Sequence, residues 1–150
     1  MSIKTVATNR KARHNYFVHE GEEAGIALMG SEIKSVREGR VSLNDAYIRP
    51  DGGELWLVGA HIARYEAASY MSHDPTRRRK LLMHRKQIKS LQSRVAEKGL
   101  TLLPLRIYIK GHYAKLEVAL GKGKKLHDKR DTISKRDMDR DLRRTMKRHK

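Results

Sequence analysis

The chain has 150 residues and carries 34 Lys or Arg against 17 Asp or Glu, a formal net charge of +17. An excess of this size indicates a phosphate-rich partner. No apolar run approaches the roughly 20 residues that cross a bilayer, and residues 1–8 lack the apolar segment of a signal peptide. The chain contains no Cys, which excludes disulfides and thiolate zinc sites. We therefore expect a cytoplasmic protein with no membrane partner.

The N-terminal region combines a loose leader with a basic and aromatic cluster. We interpret residues 1–8 as the leader, and residues 9–17 hold three cations, an imidazole and two aromatic rings. Cations meet phosphates, whereas His14 and Tyr16 can stack on exposed bases or serve the fold. We expect Phe17 to pack inward.

Two short strands are predicted next, at residues 16–19 and 24–28. Gly21 supplies the turn between them. Glu23 then lies beside a basic surface, where it either balances charge or accepts hydrogen bonds from base amino groups.

A helix is predicted over residues 30–39. Ser31 is a suitable N-cap with a glutamate close behind it, and Gly39 is a natural C-terminal stop. Ile33 and Val36 define a thin apolar face, so this helix must lie across the end of a sheet.

The following segment has the pattern of a β-hairpin with strands at residues 46–49 and 55–62. Its turn contains Pro50 followed by Asp51, Gly52 and Gly53, a composition typical of tight turns. We expect Trp56, the single Trp of the chain, to pack in the core.

The central stretch, residues 73–84, lies between two segments that are predicted to form β-strands. Pro75 favours a helix that begins just after it. Four cations follow at residues 77–80, and their mutual repulsion would be relieved by a polyanion. Leu81 and Leu82 would anchor the segment while the cations face outward. The alternative is a solvated basic helix face.

The rest of the folded region is predicted to contain one helical segment and two strands. Helical spacing continues through Ile88, Leu91 and Val95 to a stop at Gly99, as one bent helix or two short ones. Strict alternation then marks strands at residues 103–109 and 116–120. About six strands with three short helices predict a mainly β fold, a small antiparallel barrel of the oligonucleotide-binding type.

The composition changes at residue 121, which divides the chain into a β-barrel domain (1–120) and a basic tail (121–150). The tail carries 13 Lys or Arg against 5 Asp and has no Phe, Trp or Tyr. It cannot bury enough apolar surface to fold alone. Met138, Leu142 and Met146 recur every four residues, so we predict a tail that is disordered when free and helical in an anionic groove. A merely solubilising tail is the alternative.

Enzyme motifs are missing from the sequence. The glycine-rich segment at residues 121–125 lacks phosphate-loop spacing, no helical zinc motif occurs, and no Gly-x-Ser-x-Gly elbow is found. We therefore expect no catalytic residue, no cofactor and no metal.

Four motifs occur in order and together resemble one known family. They are Asn9-Arg10-Lys11-Ala12, the helix motif at residues 30–37, Asp74-Pro75-Thr76-Arg77-x-Arg79-Lys80-Leu81-Leu82, and residues 121–130. The combination closely resembles the SmpB family, the SsrA-binding proteins of bacterial trans-translation. That resemblance implies a non-enzymatic adaptor that carries transfer-messenger RNA to stalled ribosomes, the protein and RNA together imitating a tRNA.

The resemblance also implies which residues meet each partner. For transfer-messenger RNA the implied contacts are Asn9, Arg10, Lys11, His14, Tyr16, Glu23, Leu82, His84 and Lys115, and the central run of cations adds Arg77, Arg79 and Lys80 as our own prediction. For the decoding centre and messenger channel of the ribosome they are Lys122, Lys124, Lys125, His127, Asp128, Lys129 and Arg130, and the four-residue spacing in the tail adds Met138, Leu142 and Met146 as our own prediction. We expect a monomer. A small basic ribosomal or ribosome-assembly protein is the alternative, and a basic nuclease is the third class.

Overall fold

The computed structural model describes residues 2–65 and 73–124, which form nine strands and three helices. Every strand pairing within these residues is antiparallel. The predicted mainly β fold with inserted helices is therefore confirmed, although six strands was too low a number. In chain order the elements are β1 (Ile3–Thr8), α1 (Arg10–Asn15), β2 (Tyr16–Ile26), α2 (Gly30–Arg37), β3 (Val41–Ser42), β4 (Tyr47–Asp51), β5 (Glu54–Val58), β6 (His61–Ile62), β7 (Arg79–Leu82), α3 (Arg85–Lys98), β8 (Thr101–Lys110) and β9 (Tyr113–Gly123).

Seven strands form one sheet in the order β1-β8-β9-β2-β7-β5-β4, and β3 pairs separately with β6. The sheet curls, since β4 at one edge contacts β8 near the other edge. Closure into a complete barrel stays a prediction, because the hydrogen-bonded order ends at β1 and β4.

The first two strands differ from the sequence predictions. Residues 3–8, expected as a loose leader, form edge strand β1 on β8. The predicted hairpin at residues 16–28 is one continuous strand, β2. Its bulge between Val18 and Gly21 opposes the shorter step from Gly121 to Ala119 on β9, so Gly21 marks a bulge and not a turn. Phe17 is 51% exposed, so its predicted inward packing is wrong.

A second bulge explains why β8 contributes to two apolar clusters. Leu105 is the extra residue between Pro104 and Arg106, which oppose neighbouring positions of β9. An extra residue reverses the alternation of a strand. Leu103 and Leu105 therefore join Ala12 of α1 in a small cluster, whereas Ile107 packs in the main core with α3.

Helix α2 matches its prediction except at its start. The N-cap is Met29, whose N–H donates to the Glu32 carboxylate at 2.8 Å, so Ser31 is not the cap. Ser31 instead lies 2.9 Å from Nδ1 of the buried His73. Gly39, with φ of 76°, follows the C-cap residue as expected.

The central stretch is not the helix that Pro75 suggested. Residues 79–82 form β7, a strand between β2 and β5. Alternation buries Arg79 and Leu81 and leaves Lys80 and Leu82 on the other face. Helix α3 begins only at Arg85 and runs unbroken to Lys98, and Gly99 ends it in the left-handed region, as the sequence predicted.

The β4–β5 hairpin is confirmed, with Gly52 and Gly53 at positive φ in its turn. The core side chains of β5 are Leu55 and Leu57. Trp56 lies on the opposite, half-buried face beneath the Arg78 guanidinium, 4.1 Å from the ring centre, so its predicted place in the core is wrong.

The predicted tail boundary falls inside a strand. Strand β9 continues through Gly123, and Gly121 pairs with both Val18 and Thr101. The first three residues assigned to the tail therefore belong to the sheet. Within the described residues, no helix has the length and apolar character needed to cross a membrane.

Candidate nucleic-acid interface

A groove opens where β7 separates from β2. The two strands pair only through Gly25 with Leu82 and Ile26 with Leu81, after which the chain leaves the sheet for α3. The resulting open groove has a volume of about 800 Å³. Its lining includes five of the predicted RNA contacts, namely Glu23, Lys80, Leu82, His84 and Lys115. The fold thus brings together residues that are up to 92 positions apart in the sequence, from Glu23 to Lys115.

Glu23 is held as an ionised acceptor in this groove. Its carboxylate accepts hydrogen bonds from the Tyr108 hydroxyl at 2.6 Å and from Lys110 Nζ at 3.3 Å. The hydrogen bond from Tyr108 lowers the pKa of Glu23 below its usual range, and Lys110 acts in the same direction. Burial and the same hydrogen bond raise the pKa of Tyr108. The carboxylate can therefore accept from base amino groups at neutral pH.

The cations of the groove stand beside Glu23 on neighbouring strands. Lys115 pairs with Gly25 across the β2–β9 ladder, and its ammonium lies 5.8 Å from the centre of the Tyr113 ring. Lys80 Nζ lies 3.8 Å from a carboxylate oxygen of Glu54, and His84 is exposed at the N-cap of α3. Cations beside a carboxylate suit a partner that presents both phosphates and base edges.

Leu82 supplies an exposed apolar surface between two depressions. It is 53% exposed and lines both the large groove and a smaller one of about 240 Å³, which Tyr113 also borders. An exposed leucine beside an aromatic ring that is 68% exposed offers a platform for an unstacked base.

The N-terminal group of predicted contacts lies away from the groove. Tyr16 begins β2, and the seven residues to Glu23 span about 20 Å of strand. Arg10 and His14 are exposed on α1, while Lys11 lies 3.4 Å from Asp45. These side chains and the groove are therefore two separate surfaces.

Two members of the N-terminal group serve the fold. Tyr16 is half-buried against the small cluster around Leu103 and Leu105. Asn9 is 4% exposed, accepts from the Ala12 N–H and donates to the Pro104 carbonyl at 2.9 Å. The hydrogen-bonded, buried side chain of Asn9 thus positions α1 on β8 and offers no surface to RNA.

Arg79 is a correction to the sequence prediction. It is fully buried, and its Nε donates to Glu32 at 2.6 Å while its Nη1 donates to the Ala60 carbonyl at 2.9 Å. Arg77, half-buried, also pairs with Glu32. Strand alternation turns Arg79 inward, so it is not part of the interface, and of the predicted cations at 77–80 Lys80 is the one that lines the groove.

The described members of the ribosome group lie beside α1. Lys122 is exposed and pairs with Phe17, and Lys124 Nζ lies 5.2 Å from the centre of the Phe17 ring. The Lys124 N–H donates to the Asn15 carbonyl at 2.9 Å. The remaining members lie outside the described residues: Lys125, His127, Asp128, Lys129, Arg130, Met138, Leu142 and Met146.

The sequence predictions of RNA contacts missed the other residues that line the groove, and they missed Tyr108, which orients Glu23. The missed lining residues are Glu22, Gly25, Glu54, Leu81, Met83 and Gln87. The sequence predicts Tyr108 only as part of an alternating strand. Its contact with Glu23 could not be predicted, because the pairing of strands that are distant in the sequence leaves no local pattern. Among residues 2–65 and 73–124, no cluster of His, Asp and Glu could hold a metal ion.

A basic antiparallel sheet whose groove combines cations, an ionised carboxylate and an exposed apolar side chain defines a nucleic-acid-binding protein. Residues 6–148 match the family model described as SmpB protein. An SsrA-binding protein of Dehalococcoides mccartyi (strain ATCC BAA-2266 / KCTC 15142 / 195) is 62% identical over 95% of this chain and 83% of its own. The chain belongs to the SmpB family.

Two further comparisons agree with that assignment. An SsrA-binding protein of Roseiflexus sp. (strain RS-1) is 53% identical over 96% of this chain and 92% of its own. A chain of the solved structure described as "tmRNA-SmpB: a journey to the center of the bacterial ribosome" is 48% identical, with a TM-score of 0.65 over 79% of this chain and 84% of that one.

Proposed function

We propose that this protein is a non-enzymatic adaptor that binds the tRNA-like part of transfer-messenger RNA and delivers it to stalled ribosomes for trans-translation. One observation carries the proposal. In a chain of the SmpB family, the fold gathers Glu23, Leu82, His84 and Lys115 into one groove. None of these four side chains is buried in the core, so packing does not explain why they lie together. The names of the related SsrA-binding proteins support the same RNA partner.

The groove chemistry suits a folded RNA with unstacked bases. Side chains cannot enter the deep, narrow major groove of A-form RNA, so sequence-dependent contacts are made with loops. Lys80 and Lys115 meet phosphates, the ionised Glu23 accepts from a base edge, and Leu82 supports a base face. Protein and RNA together then imitate a tRNA.

The ribosome is the second partner in this proposal. Strand β9 ends beside α1, and residues 124–150 continue as a basic segment with 12 Lys or Arg against 5 Asp. We place residues 121–130 at the decoding centre and the rest of the tail along the messenger channel. The protein acts in the cytoplasm, where ribosomes translate.

The test measures binding of the full chain to a tRNA-like RNA domain and to a ribosomal RNA fragment of equal length, at several salt concentrations. We expect preference for the tRNA-like RNA. Lys115→Gln removes one phosphate contact, so its affinity should fall about fivefold and the salt slope should shrink by about 0.8. Lys4→Gln serves as the matched control, because it removes an exposed cation from edge strand β1. It should leave the affinity and the salt slope unchanged.

Two results would contradict the proposal. Equal affinity of the wild-type protein for both RNAs would favour a ribosomal or ribosome-assembly protein. If Lys115→Gln binds the RNA with wild-type affinity and salt slope, the groove is not the RNA-binding site.

A further inference from the structure

The β4–β5 hairpin and the residue before β7 form a stacked pair of side chains, Trp56 and Arg78. The centre of the Arg78 guanidinium lies 4.1 Å from the centre of the Trp56 ring. Asp51 fixes both members of the pair. Its carboxylate accepts a hydrogen bond from Arg78 Nη1 at 3.0 Å, and its backbone carbonyl accepts one from Trp56 Nε1 at 3.2 Å. One residue of the hairpin therefore holds the ring and the cation against each other.

One face of this guanidinium is open. The Arg78 side chain is 53% exposed, although the indole covers one of its faces. The N–H groups of a guanidinium lie in its plane, so the hydrogen bond to Asp51 uses an edge of the group and not a face. Neither Trp56 nor Asp51 covers the face that turns away from the ring. A flat, positively charged surface is therefore held in place and meets the solvent.

The stacked pair lies on the same side of the sheet as the groove. Trp56 is directly opposite Lys80 in the β5–β7 ladder, and Lys80 lines the groove. Leu55 and Leu57 flank Trp56 in β5 and are buried, so alternation places the indole on the outer face. Neighbouring strands are about 4.8 Å apart. A ligand that reaches Lys80 in the groove is therefore one strand away from the stacked pair.

A nucleotide is the ligand that this arrangement fits. Unstacked bases lie on aromatic rings and on the planes of Arg guanidinium groups. Arg49 is exposed and directly opposite Trp56 on β4, and no ion pair within residues 2–65 and 73–124 involves it. It can therefore contact a phosphate. A guanidinium that only shielded Trp56 from water would account for the stack, but not for the unpaired Arg49 beside it.

We propose that an unstacked base of the RNA in the groove lies on the open face of the Arg78 guanidinium, and that a phosphate of the same strand contacts Arg49. Indole, guanidinium and base then form one stack. This inference rests on the proposed function. Because Asp51 already holds Arg78 in place, little conformational entropy of this side chain is lost when the RNA binds.

The experiment uses Trp56 as the reporter, since it is the single Trp of the chain. The full-length wild-type protein is titrated with an isolated tRNA-like RNA domain, and the quenching of Trp56 fluorescence by acrylamide is measured with and without the RNA. A base on Arg78 shields the stacked pair from solvent. Acrylamide should therefore quench Trp56 less in the complex than in the free protein.

Arg78→Lys tests the stack by binding affinity, because Lys keeps the charge but has no planar guanidinium. Loss of one stacked base should weaken binding about 5- to 20-fold. The salt slope should be unchanged, since the number of cations is the same. Arg94→Lys is the matched control, because Arg94 is exposed on α3 and its side chain contacts only Ser90, at 3.5 Å, within the part of the chain that the structure describes. It should bind as the wild type does.

The outcomes separate this inference from the proposed function. Unchanged quenching of Trp56 in the wild-type complex would overturn the inference, and so would wild-type affinity of Arg78→Lys. An equal loss in Arg94→Lys would overturn it as well, since the stack at Trp56 would then have no special part in binding. Each of these results leaves the function intact while the wild type binds the tRNA-like RNA. If the wild type does not bind it, both proposals fall.

Discussion

Glu32 is the residue that joins α2 to β7. Its carboxylate is fully buried and pairs with Arg79, which is also fully buried, and with Arg77. Burial by itself would raise the pKa of Glu32, but hydrogen bonds from Arg77, the Met29 backbone and Arg79 outweigh it and lower the pKa below its usual range. The pair therefore fixes the strand that presents Lys80 and Leu82 to the groove.

We predict that Glu32→Gln destabilises the protein by about 3–5 kcal/mol, because it leaves the buried Arg79 without a counter-charge. Glu117→Gln is the matched control. It breaks the Arg106–Glu117 pair, whose side chains are 34% and 27% exposed, and should cost less than about 1 kcal/mol. Urea unfolding at pH 7 measures both. Equal costs would contradict the role given to Glu32.

The same pair makes folding sensitive to acid. Because the pKa of Glu32 is lower in the folded than in the unfolded protein, its stabilisation is present above the unfolded pKa and is lost as the pH falls through the folded pKa. Stability should therefore decline below about pH 4 in the wild type. Glu32→Gln should lack this part of the decline in the same unfolding measurements.

The packing of β9 against β8 and Tyr16 can be tested by substituting two glycines of β9. A Cβ on Gly121 would clash with Leu103 Cδ1 and lie 3.1 Å from Tyr16 Cβ, so Gly121→Ala requires Leu103 to shift within the small cluster. We expect a loss of about 1–3 kcal/mol of unfolding free energy. Gly123→Ala is the control, since the nearest atom, Tyr16 Cε1, is 3.8 Å away. A larger loss for Gly123→Ala would refute the packing described.

Elements defined by local signals could be predicted from the sequence. The stop at Gly99 and the β4–β5 turn follow from glycines that tolerate positive φ, and α3 follows from its apolar spacing. The two bulges could not be predicted, because they depend on the partner strand. For that reason the sequence predicts a hairpin where the structure has one continuous strand, β2.

The candidate site was predictable in part, and β7 shows why. Arg79 and Lys80 of β7 end a run of four cations at residues 77–80, and no local pattern marks any of these cations as buried, so the sequence predicts an outward-facing basic helix. The acid that pairs with Arg79 is Glu32, 47 positions earlier. The structure brings five of the predicted RNA contacts into one groove, and their role in RNA binding stays a prediction.

At the scale of the whole molecule, two surfaces lie toward opposite ends of β2. The groove is built around Glu23 and Gly25, while α1 and the end of β9 meet at Tyr16. In the function proposed above, one of these surfaces binds the RNA and the basic tail begins at the other.

Deleting residues 134–150 tests that division. RNA binding should be unchanged, because the groove and α3 are formed by residues before 124, and peptide tagging on stalled ribosomes should be lost. A tail of the same composition in scrambled order is the control, and it should not restore tagging if Met138, Leu142 and Met146 act as one helical line. Loss of RNA binding on deletion would place the tail in the primary site.

The position of β9 has a mechanical consequence. This strand lies inside the sheet, hydrogen-bonded along its length to β8 on one side and to β2 on the other. A pull on the chain beyond Gly123 acts parallel to both ladders, so many hydrogen bonds share the load and must break at once instead of opening one by one. In the proposed function, tension between a ribosome-held tail and an RNA-held body would therefore be borne by a strand that is paired on both sides.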